Sequence, residues 1–201
     1  MNKTAIATLD QKYVWHPFTQ MRDWQKSTPI VLDRGNGSQL WDEQGREYID
    51  ANSSIWTNLH GHNHPKINRA IRNQLDKVAH VSALGLANAP AAKLGERLVR
   101  LAKPRTRFPK TEPRLAKVFF SDDGSTSTEV AIKLAYEFAR RTGRSRKPRF
   151  LSVDGAYHGD TVGAVSAGHI DLFHKAYSGL LFKTDKVPSP YCYRCPFNRA
   201  K

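Results

Sequence analysis

The sequence has 201 residues, of which 39% are hydrophobic and 10% aromatic, and its net charge is +14. This length and composition predict one folded domain or a small pair with a sizeable core, and they exclude a low-complexity chain. No stretch is apolar for long enough to span a membrane, and the first eleven residues lack the apolar run of a secretion signal. We therefore expect a cytoplasmic protein with no membrane partner.

The basic balance, 32 Lys and Arg against 18 Asp and Glu, is compatible with a nucleic-acid partner, but the basic residues are scattered. Their densest cluster follows a predicted helix, where a solvated helix end explains it equally well: Arg140, Arg141, Arg144, Arg146, Lys147 and Arg149. We expect no nucleic-acid partner. A missing acidic portion of a longer protein would also explain the imbalance.

Metal binding is not expected. Cys192 and Cys195 form a single Cys-x-x-Cys pair, whereas zinc needs four ligands, so we interpret them as reduced thiols in a loop. Alternatively, the two cysteines are half of a metal site.

The second candidate is a group of three histidines. His60, His62 and His64 would share one face of a strand, but the glycine among them and the proline after them predict a loop. Loop histidines more often cap helices or fill hydrogen bonds.

The N-terminal third predicts an arm followed by a small sheet. Residues 13–21 are rich in aromatic side chains, are broken by Pro17 and show no periodicity, which is typical of an arm lying on another surface. Residues 30–34, 38–41 and 47–50 are short strand-like runs separated by glycine turns, and they predict an antiparallel meander.

Two helices should follow the meander. Pro65 suits the first position of one helix, and Asn88 and Pro90 begin the next. Their apolar residues recur at helical spacing: Ile67, Ile71, Leu75 and Val78 in the first, and Leu94, Leu98 and Leu101 in the second.

The central stretch predicts a strand that feeds a helix. Residues 115–120 form a β-branched and aromatic run typical of a buried strand. Thr126 and Glu129 have the spacing of a capping box, and Gly143 suits the helix end. A strand at residues 149–154 and a glycine-bounded turn at 155–161 come next. Strand, helix and strand in this order predict a parallel crossover and an α/β fold.

Two turns at the carboxyl ends of these strands are candidate ligand sites. At Gly124 and Ser125, free N–H groups and hydroxyls at a helix start favour a phosphate, although an ordinary capped turn has the same residues. In the second turn, Tyr157 could lie on a flat ring or could be a packed core tyrosine.

Together, five segments resemble the class III pyridoxal-phosphate aminotransferases. They are residues 15–21 (WHPFTQM), 53–56 (SSIW), 60–65 (HGHNHP), 121–129 (SDDGSTSTE) and 157–161 (YHGDT). The first and last are similar to the biotin-synthesis branch of this family. The resemblance implies a fold-type I transferase with a three-layer α/β/α large domain. It assigns residues 1–60 to an N-terminal arm and meander, and residues 61–201 to an incomplete large domain.

The resemblance also implies the site. Gly124 and Ser125 would hold the phosphate of pyridoxal 5'-phosphate, and Tyr157 would stack on its pyridine ring. Phe18, Trp56 and Tyr157 would border the substrates, 8-amino-7-oxononanoate and an amino donor. The donor would be S-adenosylmethionine or lysine, since Phe18 and Ile55 stand where S-adenosylmethionine-using members tend to carry tyrosine and tryptophan.

No lysine here matches the family's lysine motif. The Schiff-base lysine is expected beyond Lys201, so these residues alone should be inactive, as part of a longer enzyme that would be a homodimer. The alternatives are another class III ω-amino-acid transaminase and a basic binding module.

Overall fold

The computed structural model of the chain describes residues 4–102, 115–193, 195 and 197. The chain forms two compact units, one up to Asn88 and one from Ala89 onward, and each is described by itself. The boundary expected after residue 60 falls inside the first unit, and as a division of the complete protein it stays a prediction.

The first unit begins with helix α1, Ala5–Tyr13, which sequence reasoning did not identify, and a short helix α2, Met21–Trp24. The arm between them is held by Asp10. The Asp10 carboxylate accepts hydrogen bonds from the Trp24 indole at 3.1 Å and lies 2.7 Å from His16 Nε2. The rings of His16 and Trp24 also pack, with centroids 4.5 Å apart. The aromatic arm is therefore anchored on α1.

The expected meander is confirmed. Strands β1 (Leu32–Asn36), β2 (Gln39–Asp42) and β3 (Glu47–Ile49) form an antiparallel sheet in that order. Asp42 fixes the second turn of this sheet, because the Asp42 carboxylate accepts hydrogen bonds from Arg46 Nε at 2.6 Å and from the Tyr48 hydroxyl at 2.9 Å. Burial raises the pKa of Asp42, but these bonds and two backbone N–H donors outweigh it and lower the pKa to about 2.

A helical turn of unusual hand, α3 (Ser53–Trp56), follows the sheet. All four residues have positive φ, from 49° to 67°, so the turn winds in the left-handed sense. For residues with a Cβ this conformation costs about 1–2 kcal/mol each. Asp50 supports the turn by accepting the Ser54 N–H at 2.9 Å and the Ser54 hydroxyl at 2.8 Å. Helix α4, Pro65–Leu75, begins at the expected proline but ends before Val78.

The second unit contains helices α5 (Ala89–Leu101) and α6 (Gly124–Arg141), as expected. Strand β4 (Leu151–Val153) is followed by α7 (Val162–Ala167), α8 (Asp171–His174), a 3₁₀ turn (Lys175–Leu180) and strand β5 (Asp185–Val187). Strands β4 and β5 pair in parallel, as the α/β prediction requires.

The core of this unit lies where α7 packs against α6. Gly163, Ala164 and Val165 of α7 are buried, and the Gly163 N–H donates to Glu129 Oε1 on α6 at 2.7 Å. This packing brings the start of α6 close to the turn that precedes α7.

Two local predictions need correction. Residues 115–120 form no strand, and Phe119 is 69% exposed. A strand exists only when hydrogen-bonded to a neighbour, and no described strand lies beside this segment. The capping box of α6 joins Asp123 and Thr126, not Thr126 and Glu129, because the helix begins three residues earlier than the predicted box.

No helix in the described part of the chain combines the length and the apolar character needed to cross a bilayer.

Candidate functional site

The first turn of α6 presents backbone donors. Asp123 caps the helix by accepting the Thr126 N–H at 2.8 Å, and the Thr126 hydroxyl accepts the Asp123 N–H at 3.0 Å. Among the described residues no acceptor bonds the N–H groups of Gly124 and Ser125. Two N–H groups at the positive end of an 18-residue helix form an anion site of the kind that binds phosphate.

The turn at residues 157–161 is bonded to this helix start. The Asp160 N–H donates to Ser125 Oγ at 3.3 Å. The Thr128 hydroxyl lies within donating distance of two carbonyls, that of Gly124 at 3.0 Å and that of His158 at 3.2 Å. The Ser125 oxygen thus accepts from the protein, while its own proton is available for a ligand. The two stretches predicted to share one ligand therefore lie side by side.

Gly159 explains how they come so close. Its φ is +117°, and a Cβ built on it would overlap the Ser125 side chain, lying 2.8 Å from Ser125 Cα. Only a residue without a side chain permits this approach.

Tyr157 is half exposed, with 55% of its surface accessible. Its hydroxyl donates to Asp160 Oδ2 at 2.7 Å. This hydrogen bond and, to a lesser degree, burial raise the pKa of Tyr157, so the phenol keeps its proton and remains a donor at neutral pH. Asp160 thus contacts two of the three predicted cofactor residues: Ser125 through its backbone N–H and Tyr157 through its carboxylate. Sequence reasoning gave it no role, although an Asp three residues after a Tyr in a glycine turn is a weak signal of such a bond.

These residues fit pyridoxal phosphate. The N–H groups of Gly124 and Ser125 and the Ser125 hydroxyl match a dianionic phosphate. Tyr157 offers an exposed aromatic face nearby, tethered by its hydroxyl.

Phe18 and Trp56, the expected substrate-lining residues, both belong to the first unit. Phe18 is 81% exposed with φ 50°, and Trp56 is 82% exposed with φ 67°. Each aromatic side chain is thus exposed and belongs to a residue with positive φ. Their contribution to a substrate pocket stays a prediction.

The three loop histidines have different surroundings. His62 lies 2.9 Å from the Asp50 carboxylate, and its backbone pairs with Gly37 of the meander turn. The rings of His60 and His64 meet edge to face at 6.0 Å. The described residues contain no cluster of His, Cys, Asp and Glu arranged to hold a metal. Cys192 and Cys195 are free thiols.

A model of the family described as aminotransferase class-III matches residues 20–201. The chain belongs to this family. Its members use pyridoxal phosphate, and its fold is the fold-type I that the resemblance implied.

Similar proteins of known name indicate one branch of this family. The chain is 50% identical to the adenosylmethionine-8-amino-7-oxononanoate aminotransferase of Aquifex aeolicus, over 96% of this chain and 41% of that protein. It is 48% identical to the protein of the same name from Geobacter sulfurreducens, over 94% and 40%. The chain also superposes on the crystal structure of the enzyme with this name from Methanocaldococcus jannaschii. The TM-score is 0.83 at 42% identity, over 92% of this chain and 40% of that one.

The resemblance to the biotin-synthesis branch is thereby confirmed. The chain spans about 40% of the length of these relatives.

Proposed function

We propose that the complete protein is a pyridoxal-phosphate-dependent aminotransferase that converts 8-amino-7-oxononanoate into 7,8-diaminononanoate. The observation that carries this proposal is the 48–50% identity, over nearly the whole chain, to two proteins that bear the name of that activity. The paired turns at Ser125 and Tyr157 support it independently, because they form a phosphate site beside an exposed aromatic face.

The roles of this chain's residues are to bind and to orient. The N–H groups of Gly124 and Ser125 and the Ser125 hydroxyl hold the phosphate. Tyr157 covers one face of the pyridine ring and borders the substrate, and Phe18 and Trp56 line the substrate pocket. Pyridoxal phosphate, when bound, supplies the electron sink that amino transfer needs. The lysine that moves the proton would come from beyond Lys201, and the active protein would be a homodimer.

The reaction is tested with the complete protein. We expect visible-range absorbance from bound cofactor, a spectral shift when the amino donor is added, and turnover of 8-amino-7-oxononanoate. Absence of both the absorbance and the shift would remove the proposal. A panel of ω-amino acids separates the alternative class III activity: preference for these over 8-amino-7-oxononanoate would favour an ω-transaminase.

The amino donor is tested by comparing turnover with the two candidate donors, because the chain departs from S-adenosylmethionine-using members at two positions. Phe18 can stack on adenine but offers no hydroxyl, and Ile55 provides no aromatic wall. Turnover with lysine but not with S-adenosylmethionine would identify a lysine-dependent enzyme, and the reverse would identify the donor in the relatives' name.

The phosphate role is tested by Ser125→Ala. We expect cofactor affinity to fall by about 1.5–3 kcal/mol, the usual worth of a hydrogen bond to a charged group, measured by titration of cofactor-free protein. Ser127→Ala is the matched control, because the Ser127 hydroxyl bonds the Asp123 carbonyl within the same helix turn and should leave the affinity unchanged. Equal effects of the two changes would contradict the role of Ser125.

A further inference from the structure

His174, at the end of α8, is the most deeply buried histidine near the candidate site, with a side chain only 4% exposed. Both of its ring nitrogens are engaged. Nδ1 accepts the backbone N–H of Ile170 at 3.1 Å, and Nε2 lies 3.2 Å from Asp160 Oδ1.

These contacts define where the imidazole carries its proton. A nitrogen that accepts an N–H must offer a lone pair, so Nδ1 is unprotonated and the ring proton sits on Nε2. The Nε2–H group therefore donates to Asp160 Oδ1. The Ile170 amide holds the ring in the one tautomer that makes this bond possible.

Asp160 transmits this constraint to the site. Its other carboxylate oxygen, Oδ2, accepts the Tyr157 hydroxyl at 2.7 Å, and its backbone N–H donates to Ser125 Oγ at 3.3 Å. A carboxylate bonded through only one oxygen can rotate about its Cβ–Cγ bond, whereas one bonded through both is fixed. The Tyr157 and His174 rings are also nearly parallel, 12° apart with centroids 6.3 Å apart.

We propose that His174 is a positioning residue for Tyr157: it fixes the Asp160 carboxylate, which in turn fixes the tyrosine ring at the angle needed to cover the cofactor. This inference rests on the proposed cofactor role of Tyr157. His174 touches no reacting atom. Its effect on the cofactor passes entirely through the Asp160–Tyr157 hydrogen bond.

The test uses the complete protein and two variants that differ in donor capacity. His174→Phe keeps an aromatic ring of similar size but removes the donor, whereas His174→Gln places an amide N–H at about the reach of Nε2. We expect the Phe variant to lose roughly tenfold in affinity for pyridoxal phosphate, the worth of one hydrogen bond. The Gln variant should stay within about threefold of the parent protein.

A thermodynamic cycle separates positioning from simple core packing. In a Tyr157→Phe background the hydroxyl that Asp160 holds is gone, so His174→Phe should cause no further loss of cofactor affinity. A purely structural histidine would lower the affinity by the same factor in both backgrounds, and that result would overturn the proposal.

A readout without cofactor distinguishes failure of this inference from failure of the proposed function. Crystal structures of the cofactor-free parent and Phe variant should show the Tyr157–Asp160 bond intact in the parent and broken in the variant, whether or not the protein is an aminotransferase. An unchanged Tyr157 in the Phe variant would refute the inference. If the Phe variant does not fold, His174→Asn replaces it, since its shorter amide can meet Ile170 but cannot reach Asp160.

Discussion

Gly159 and Ser125 show how single residues create the candidate site. The N–H donors of α6 would form an ordinary helix start by themselves, and Tyr157 would be an ordinary surface tyrosine. They become one site because the backbone at Gly159 passes against Ser125 with φ +117°. The resulting bond from the Asp160 N–H to Ser125 Oγ joins the two turns.

Gly159→Ala should therefore damage both turns. The added methyl group would overlap Ser125, and the positive φ would be strained, so we expect the free energy of unfolding to fall by about 1–3 kcal/mol and cofactor affinity to fall with it. Chemical denaturation and cofactor titration measure the two effects.

Gly95→Ala is the matched control. A Cβ at this α5 position would meet no described atom within 4 Å, and alanine is the better helix former by up to about 1 kcal/mol. A stability loss for Gly95→Ala equal to that of Gly159→Ala would show that the Ser125 contact is not the cause.

Among the elements, α3 is the one that the surrounding residues must hold in place. Its left-handed residues are supported by the Asp50 carboxylate, which accepts two hydrogen bonds from Ser54 and one from His62. The backbone and side-chain bonds from Ser54, and then the bond from His62, lower the pKa of Asp50 below its ordinary 3.8 despite partial burial. The ionised carboxylate is therefore the form that stabilises the turn.

The stability of α3 should depend on pH with a definite sign. Because the folded pKa of Asp50 lies below the unfolded one, its stabilisation is complete above about pH 4 and is lost as pH falls through the folded pKa. Amide hydrogen exchange at Ser54 should accelerate relative to its intrinsic rate in that acid range. Asp50→Asn should accelerate it at neutral pH and abolish the acid transition.

Asp33→Asn is the control for this measurement. Asp33 is an exposed carboxylate on β1, and no observed hydrogen bond joins it to the α3 turn. A Ser54 exchange profile that is identical in the Asp50 and Asp33 variants would contradict the role of Asp50.

The sequence predicts those elements whose determinants are local. The meander follows from its glycine turns, α4 from Pro65, and α6 from its polar start and apolar face. Residues 115–120 have an equally clear strand pattern, yet a strand also needs a neighbour, which a local pattern does not supply. The hand of α3 was not predicted, because Ser54 and Ile55 normally avoid positive φ. Asp50 bonds Ser54, and Asn52 Oδ1 accepts the Ile55 N–H at 3.5 Å.

The residues of the candidate site likewise fall into those that the local sequence predicts and those that depend on tertiary contacts. Gly124, Ser125 and Tyr157 could be named from turn chemistry and from family resemblance. His174 could not, because its role depends on a bond to Asp160, fourteen residues earlier in the chain. Such a bond arises from the packing of α8 behind the turn, and no spacing rule predicts it.

At the scale of the whole molecule, large apolar side chains remain uncovered within the second unit. Phe119 is 69% exposed, and Leu151 on β4 is 66% exposed. Large apolar side chains normally lie in a core, and those that stay exposed are candidates for cover by another element or chain. The relatives are more than twice as long as this chain, which is consistent with such cover.

A polypeptide limited to residues 1–201 should therefore bind a hydrophobic dye strongly. We expect the fluorescence of 8-anilinonaphthalene-1-sulfonate to rise several-fold more with this polypeptide than with the complete protein at equal molar concentration, because exposed apolar patches are the dye's binding surface. Phe119→Ser should reduce the signal, whereas Ser127→Ala should not. Equal fluorescence from the two polypeptides would show that the rest of the complete protein does not cover these side chains.

The left-handed turn has a consequence for laboratory evolution. Glycine adopts positive φ without penalty, so a library screened only for heat tolerance should accumulate glycine at the β-branched Ile55. It should do so less often at Ser54, where glycine would also lose the hydroxyl bond to Asp50. Under the proposed function, the same library made in the complete protein and grown without biotin should lose whichever of these changes displaces the Trp56 side chain. Comparing the survivors of the two selections would show how much stability the protein loses by keeping the left-handed turn that positions the Trp56 side chain.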